Sequence, residues 1–368
     1  MFKKFLLFSA ALLCGVSLSA QWQRTPNDTL KSVRVLPDGD VLFSIYAPEA
    51  ENVSLTGDIM PWGQKIVPEK QDNGVWTIRI PDVKPGMYRY HFVVDGVQVY
   101  DPKSETTTQN SALAVVEPDG EEFFSYDKDI PHGSMAVRSY YSSVIGETRT
   151  MRVWTPAGYE KNCPKLPVLY LIHGGGDTDT SWPTVGAAGE ILDKLLAEGK
   201  MKPMIVVMPN GTIHTDDMQG EVPIFAEDMT ECIIPFIESN YNVLTDKDSR
   251  AMAGLSMGGM ETLETALKNI DMFSYVYVLS SSFAPGADPA AEAARLGVPE
   301  NVDKINASFR QFVFTQGGPS DVAYQNGINT RNELEKLDVK FEYDEVDGGH
   351  SWTAWRQNLY DLAQRIFK

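Results

Sequence analysis

The chain has 368 residues, with 32 Lys and Arg against 50 Asp and Glu, for a formal net charge of −18. Apolar residues at 43% and charged residues at 22% are those of a globular protein long enough for two domains, which excludes wholesale disorder. So acidic a surface repels a phosphate backbone; it argues against nucleic acid as the partner and is compatible with neutral polysaccharide.

At the start of the chain, Lys3 and Lys4 precede an apolar run from Phe5 to Val16, and Ser17, Leu18, Ser19 and Ala20 follow. A basic segment, a short apolar segment and a small-residue site read as a signal peptide over 1–20, cleaved after Ala20. The expected destination is the periplasm or the exterior. Cys14 offers a rival reading as a lipoprotein cysteine, but Ala11-Leu12-Leu13 lacks the small residues that such a site has just before it. No later segment is long and apolar enough to span a bilayer. Of the other two cysteines, Cys163 and Cys232, the preferred reading is two buried free thiols, since a disulfide needs a Cα approach that sequence does not reveal.

Residues 28–118 read as short strands with turn punctuation. Val41–Ala47, Asn52–Thr56, Val75–Ile80 and Met87–Val94 are rich in β-branched and aromatic residues. Pro37-Asp38-Gly39, Asp72-Asn73-Gly74, Lys84-Pro85-Gly86 and Val94-Asp95-Gly96 supply the turns between them. The pattern predicts an all-β sandwich over 21–118, then a linker over 119–135. From Ala136 the texture changes. A strand pair at 136–144 and 150–155 leads into strands at 168–172, 204–208, 250–253, 273–279, 311–315 and 340–346. Helices are predicted at 187–198, 226–239, 257–268, 322–337 and 352–367. Alternation of strand and helix predicts a mostly parallel sheet covered on both faces, over 136–368.

The strongest chemical signal is Gly254-Leu255-Ser256-Met257-Gly258, which follows the apolar strand Ala251-Met252-Ala253 and precedes a helical run. A nucleophilic serine on a sharp strand-to-helix turn needs that context, and its small neighbours let the backbones approach. A serine hydroxyl needs a base. Of five histidines, His350 ends Asp347-Gly348-Gly349-His350 directly after the last predicted strand, where a loop can carry an imidazole to the top of the sheet. Asp321, after the strand Phe312–Thr315, is favoured as the orienting carboxylate on placement, with Asp338, Asp344 and Asp347 as competitors. His173-Gly174-Gly175-Gly176 follows the strand Val168–Ile172 and predicts an oxyanion-binding loop, with amide donors at Gly175 and at Met257; His173 itself reads as structural. Trp182 and Trp352 are candidates for lining a substrate cleft, core packing being equally favoured; Trp355 is read as packing under the last helix. The histidines are too scattered for a metal site, and no phosphate loop is present, so no cofactor is expected.

Four stretches carry a family resemblance: Leu171-Ile172-His173-Gly174-Gly175-Gly176-Asp177, Pro203 to Gly211, Ala253-Gly254-Leu255-Ser256-Met257-Gly258-Gly259, and Gly348-Gly349-His350-Ser351-Trp352. Across 136–367 the chain resembles the esterase D family, particularly carbohydrate esterase family 1. The resemblance implies an α/β-hydrolase fold with nucleophile, acid and base at Ser256, Asp321 and His350. Asp72-Asn73-Gly74-Val75-Trp76 and Gly86 to Gly96 are similar to an early-set immunoglobulin-like module of the family-48 carbohydrate-binding type. In it Trp62, Trp76 and Tyr88 are candidate sugar platforms, with packing the favoured reading. The resemblance implies removal of feruloyl or acetyl groups from plant cell-wall xylan. Acyl transfer to a sugar acceptor, a non-catalytic carbohydrate-binding role and peptidase activity are the alternatives.

Overall fold

A computed structural model describes residues 24–60, 64–101, 103–104, 112–116, 122–159, 163–213 and 218–368. The predicted leader over 1–20, Cys14 and Trp62 lie outside the described residues. No helix among the described residues is long and apolar enough to cross a membrane.

The N-terminal unit is an immunoglobulin-like sandwich of two antiparallel sheets. One has β1 (Val33–Val35), β2 (Val41–Tyr46), β5 (Val75–Ile80) and β4 (Glu69–Lys70); the other has β3 (Val53–Gly57), β6 (Gly86–Val94), β7 (Val97–Val99) and β8 (Ala112–Val116). Alternating inward residues meet between the sheets: Val41, Phe43 and Ile45 from β2, Leu55 from β3, Tyr90 and Phe92 from β6. Trp76 belongs to this core and its indole donates to the Ala47 carbonyl at 2.9 Å. Tyr88 is half-buried beside the same core.

The C-terminal unit is an α/β hydrolase. Its eight-stranded sheet has the order β16 (Glu342–Glu345), β15 (Gln311–Gln316), β14 (Tyr275–Leu279), β13 (Arg250–Leu255), β11 (Val168–Ile172), β12 (Ile205–Pro209), β10 (Glu147–Thr155), β9 (Ser134–Ser142). β9 and β10 form an antiparallel hairpin at one edge, β10 pairs antiparallel with β12, and the other pairings are parallel. The central strands are apolar without alternation because both faces are covered. Along β11, Val168, Tyr170 and Ile172 pack into one core, and Leu169 and Leu171 into the other. The second core takes α1 (Ala188–Ala197) and α8 (Trp352–Ala363). The first takes α4 (Met257–Lys268), α5 (Pro289–Arg295), α6 (Val298–Ser308), α7 (Tyr324–Lys336) and a helical run of α2 (Met218–Asp228), a π-turn (Met229–Ile233) and α3 (Ile234–Asn240).

Helices α5 and α6 were not among the predicted elements. Their signals are local: Asp288 accepts the Ala291 amide as an N-cap before Pro289, and Gly297, at φ 73°, separates the two helices. Cys163 and Cys232 are both free; Cys232 is buried, whereas Cys163 is partly exposed, so the expected burial holds for one of them.

Topology locates the crevice. From β11 the chain passes through α1 to β12 on one side, then returns to β13 on the other side of β11. Loops leaving the C-terminal ends of β11 and β13 therefore diverge and leave a cleft between them.

Candidate active site

Strand β13 ends at Leu255 and α4 begins at Met257, leaving Ser256 in the intervening turn at φ 52°, ψ −118°. That conformation is costly for a residue with a Cβ, so its surroundings must impose it. A Cβ on Gly254 would penetrate the Gly258 carbonyl, and one on Gly258 would penetrate the His173 carbonyl. The Ser256 amide donates to the Leu279 carbonyl at 2.9 Å. Its own carbonyl accepts from the Gly259 amide at 2.9 Å and from Ser281 Oγ at 2.6 Å. Ser281 is a supporting residue that sequence reasoning missed.

His350 lies between β16 and α8, with Nε2 3.0 Å from Ser256 Oγ and Nδ1 2.7 Å from Asp321 Oδ1. With Nδ1–H donating to the carboxylate, Nε2 is left as an acceptor facing the hydroxyl. The ring packs edge-on against Trp355, centroids 5.1 Å apart. The Asp321 side chain is fully buried. Its Oδ2 accepts the Gly317 amide at 3.0 Å and its Oδ1 the Ala323 amide at 2.9 Å. Burial pushes this carboxyl up, but hydrogen bonds from His350 and the two amides outweigh it and hold the group at about 2. Of the competing acids, Asp344 is paired with Arg365 at 2.8 Å, and Asp338 follows α7 with its carbonyl bonded to Asn306. The structure thus brings residues 256, 321 and 350 into one hydrogen-bonded chain.

The glycine loop runs against this chain. A Cβ on Gly174 would lie 3.1 Å from the Ser256 Cβ, and the Asp177 amide closes a turn onto the Gly174 carbonyl at 3.2 Å. Gly175 is exposed within that turn, and Met257 is the first residue of α4. Met257 thus follows Ser256 directly, at the positive end of a 12-residue helix that favours negative charge. His173 is buried and braces the loop: it contacts the Gly174 carbonyl through Nδ1 at 2.9 Å and accepts the Gly211 amide at Nε2, also at 2.9 Å.

The two tryptophans proposed as cleft residues are placed differently. Trp182 and Trp352 are 1% and 3% exposed and belong to the core under α1 and α8. Trp182 donates to the Ile172 carbonyl at 3.1 Å, its ring meets Trp352 edge-on, and Trp352 meets Trp355 in the same way. Rings sealed in this stack offer no face to a ligand; they pack beneath His350. The reason is register: Trp352 and Trp355 are three apart at the start of α8, so both turn toward the sheet. Among the described residues no cluster of His, Cys, Asp and Glu has the makings of a metal site.

Residues 142–366 match the model of the family described as "Putative esterase". The chain belongs to this esterase family. Residues 32–109 match carbohydrate-binding module 48, the isoamylase N-terminal domain. Over 347 residues the esterase is 34% identical to the endo-1,4-beta-xylanase/feruloyl esterase of Xylanibacter ruminicola, covering 90% of this chain and 45% of that protein. The chain therefore spans less than half the length of that relative. Among solved structures, the CE1 ferulic acid esterase of Anaeromyces mucronatus matches with a TM-score of 0.58 at 24% identity, over 67% of this chain and 95% of that one. The enterobactin esterase of Shigella flexneri matches with a TM-score of 0.64 at 16% identity, over 88% of this chain and 93% of that one. At these identities both share the fold with the esterase, and the second match extends the likeness beyond residues 142–366.

Proposed function

We propose that the protein is an exported serine carboxylic ester hydrolase that removes feruloyl or acetyl groups from plant cell-wall xylan through an acyl-enzyme. The observation that carries this reading is the Ser256–His350–Asp321 chain, with contacts of 3.0 and 2.7 Å, at the crevice between β11 and β13. The xylanase/feruloyl esterase name of the Xylanibacter relative and the family-48 match support the substrate class. The basic and apolar pattern of residues 1–20 supports export.

In this mechanism Ser256 Oγ attacks the ester carbonyl carbon while His350 Nε2 takes its proton. The amides of Gly175 and Met257 receive the oxyanion. Asp321, anionic down to about pH 2, holds the imidazole in one tautomer and stabilises the imidazolium. His350 then protonates the departing sugar oxygen, which leaves the acyl group on Ser256. Water attacks that acyl group as His350 takes its proton, and collapse returns the proton to Ser256 and releases the free acid.

The test is turnover of methyl ferulate, acetylated xylan and feruloylated arabinoxylan fragments by the wild-type protein and by Ser256→Ala. The expected outcome is hydrolysis of at least one of these by the wild type and a loss of about 1,000-fold or more in the variant. Equal turnover by a folded Ser256→Ala variant rules the nucleophile out.

A further inference from the structure

Arg89 of the N-terminal sandwich reaches the glycine loop at Asp177. Strand β6 directs Met87 and Arg89, two residues apart and so on one face, at the α/β unit. Met87 joins the core formed with α1 and α8, and its carbonyl accepts from Arg356 of α8 at 3.4 Å. The Arg89 guanidinium lies between two carboxylates. Its Nε donates to Asp58 of its own unit at 2.7 Å, and Nη1 donates to Asp177 of the other.

Asp177 is the residue that closes the glycine loop. Its amide donates to the Gly174 carbonyl, its carbonyl accepts Thr212 Oγ1 at 3.2 Å, and its Oδ1 also accepts Ser181 Oγ at 3.1 Å. The side chain is 6% exposed. Burial pushes its carboxyl up and Asp58 adds to the rise, while Arg89, the neighbouring His173 ring and the Ser181 hydrogen bond oppose it. A buried carboxylate deprived of its cation either takes up a proton or turns toward water. Turning would pull on the Gly174–Asp177 turn, which lies against Ser256.

We infer that Arg89 of the N-terminal unit is a positioning residue for ester hydrolysis: by neutralising Asp177 across the domain boundary it holds the oxyanion-binding turn in place. The sandwich is thereby part of the catalytic machinery's support, whether or not it touches polysaccharide. The inference rests on the hydrolase reading above, in which that turn supplies an oxyanion donor.

The experiment uses the full-length chain with 4-nitrophenyl acetate, comparing wild type, Arg89→Met, Asp177→Asn and the double variant, each checked for folding by circular dichroism. Arg89→Met is expected to lower kcat about tenfold or more while KM stays within about threefold, as for loss of transition-state positioning without loss of binding. The deficit is expected to grow with rising pH, because an ionised Asp177 then has no cation beside it. Asp177→Asn in the Arg89→Met background is expected to restore kcat to that of Asp177→Asn alone. If Arg89→Met does not fold but the double variant does, with the kcat of Asp177→Asn, the same conclusion follows. A kcat for Arg89→Met within twofold of wild type at every pH overturns the inference, as do strictly additive effects of the two substitutions. Absence of Ser256-dependent turnover in the wild type would instead overturn the hydrolase reading, so the two failures are distinguishable.

Discussion

Gly317 and Gly349 are in direct backbone contact: the Gly349 amide donates to the Gly317 carbonyl at 3.0 Å, and a Cβ on Gly317 would overlap the Gly349 carbonyl. Gly317 also donates its amide to Asp321, and Gly349 directly precedes His350. The loop that carries Asp321 and the loop that carries His350 are thus locked together by main chain. Their side chains meet at 2.7 Å because nothing but hydrogen separates the two backbones.

Gly317→Ala tests this lock. The added methyl has no room and must push the 317–321 and 348–350 loops apart. Displacements of about 1 Å in such a constellation cost on the order of 100-fold in rate. The expected result is a fall of that size in kcat with the fold retained, measured by steady-state kinetics beside a thermal melt. A kcat within twofold of wild type contradicts the coupling.

Asp321 links the site to acid stability. Its folded value is depressed from 3.8 to about 2, so its contribution is fully present above about pH 3.8 and is lost as pH falls through about 2. The size is on the order of 2 kcal/mol. Asp321→Asn is expected to lack this part of the acid dependence, so that the stability difference from wild type narrows between pH 4 and 2. Urea unfolding across that range reads it directly. At pH 7 the same variant is expected to lose about 10³–10⁴ in kcat, since an amide no longer holds the imidazole in the required tautomer.

Glu261 on α4 is fully buried, and neither carboxyl oxygen has a hydrogen-bond partner among the described residues. Burial pushes its carboxyl well above 4.5, nearby Glu221 adds to the rise, and Arg149 opposes it. Here the sign is reversed: the folded state holds the proton more tightly, so stability falls as pH rises above about 4.5, until the folded-state carboxyl itself ionises. Glu261→Gln removes that slope. Its stability relative to wild type is expected to rise with pH from 4.5 to 7, by at most about 1.4 kcal/mol per unit. Parallel stability curves for the two proteins would show that Glu261 is ionised in the fold.

Trp182 is a packing residue by its burial, and the test is which parameter moves. Trp182→Ala is expected to cost about 3–5 kcal/mol of stability through the cavity left beneath Trp352. KM for methyl ferulate is expected to stay within about threefold in the protein that remains folded. A large rise in KM with an unchanged melting temperature would return Trp182 to the cleft.

Much of the site was legible in the sequence because its signals are local. A nucleophile elbow needs small residues at fixed offsets around Ser256, and a strand before and a helix after it are visible as apolar patterns. His350 and Asp321 were reachable from their positions just after predicted strands, since parallel strands deliver their loops to one edge. The N-terminal strands were legible from alternation and from turns such as Asp95-Gly96, both at positive φ.

What the sequence determined by itself was the set of elements and the chemical types placed at their ends. Tertiary structure alone decided which groups meet. It put Trp182 and Trp352 in the core rather than in the cleft, because an aromatic ring near a site has the same residue signature whether it faces water or the sheet. It joined Arg89 to Asp177, 88 positions apart, because charge pairing across a domain boundary leaves no periodic trace in either segment. Long-range contacts depend on how the two units and the two sheet faces close on each other, and that geometry is carried by the packed chain as a whole.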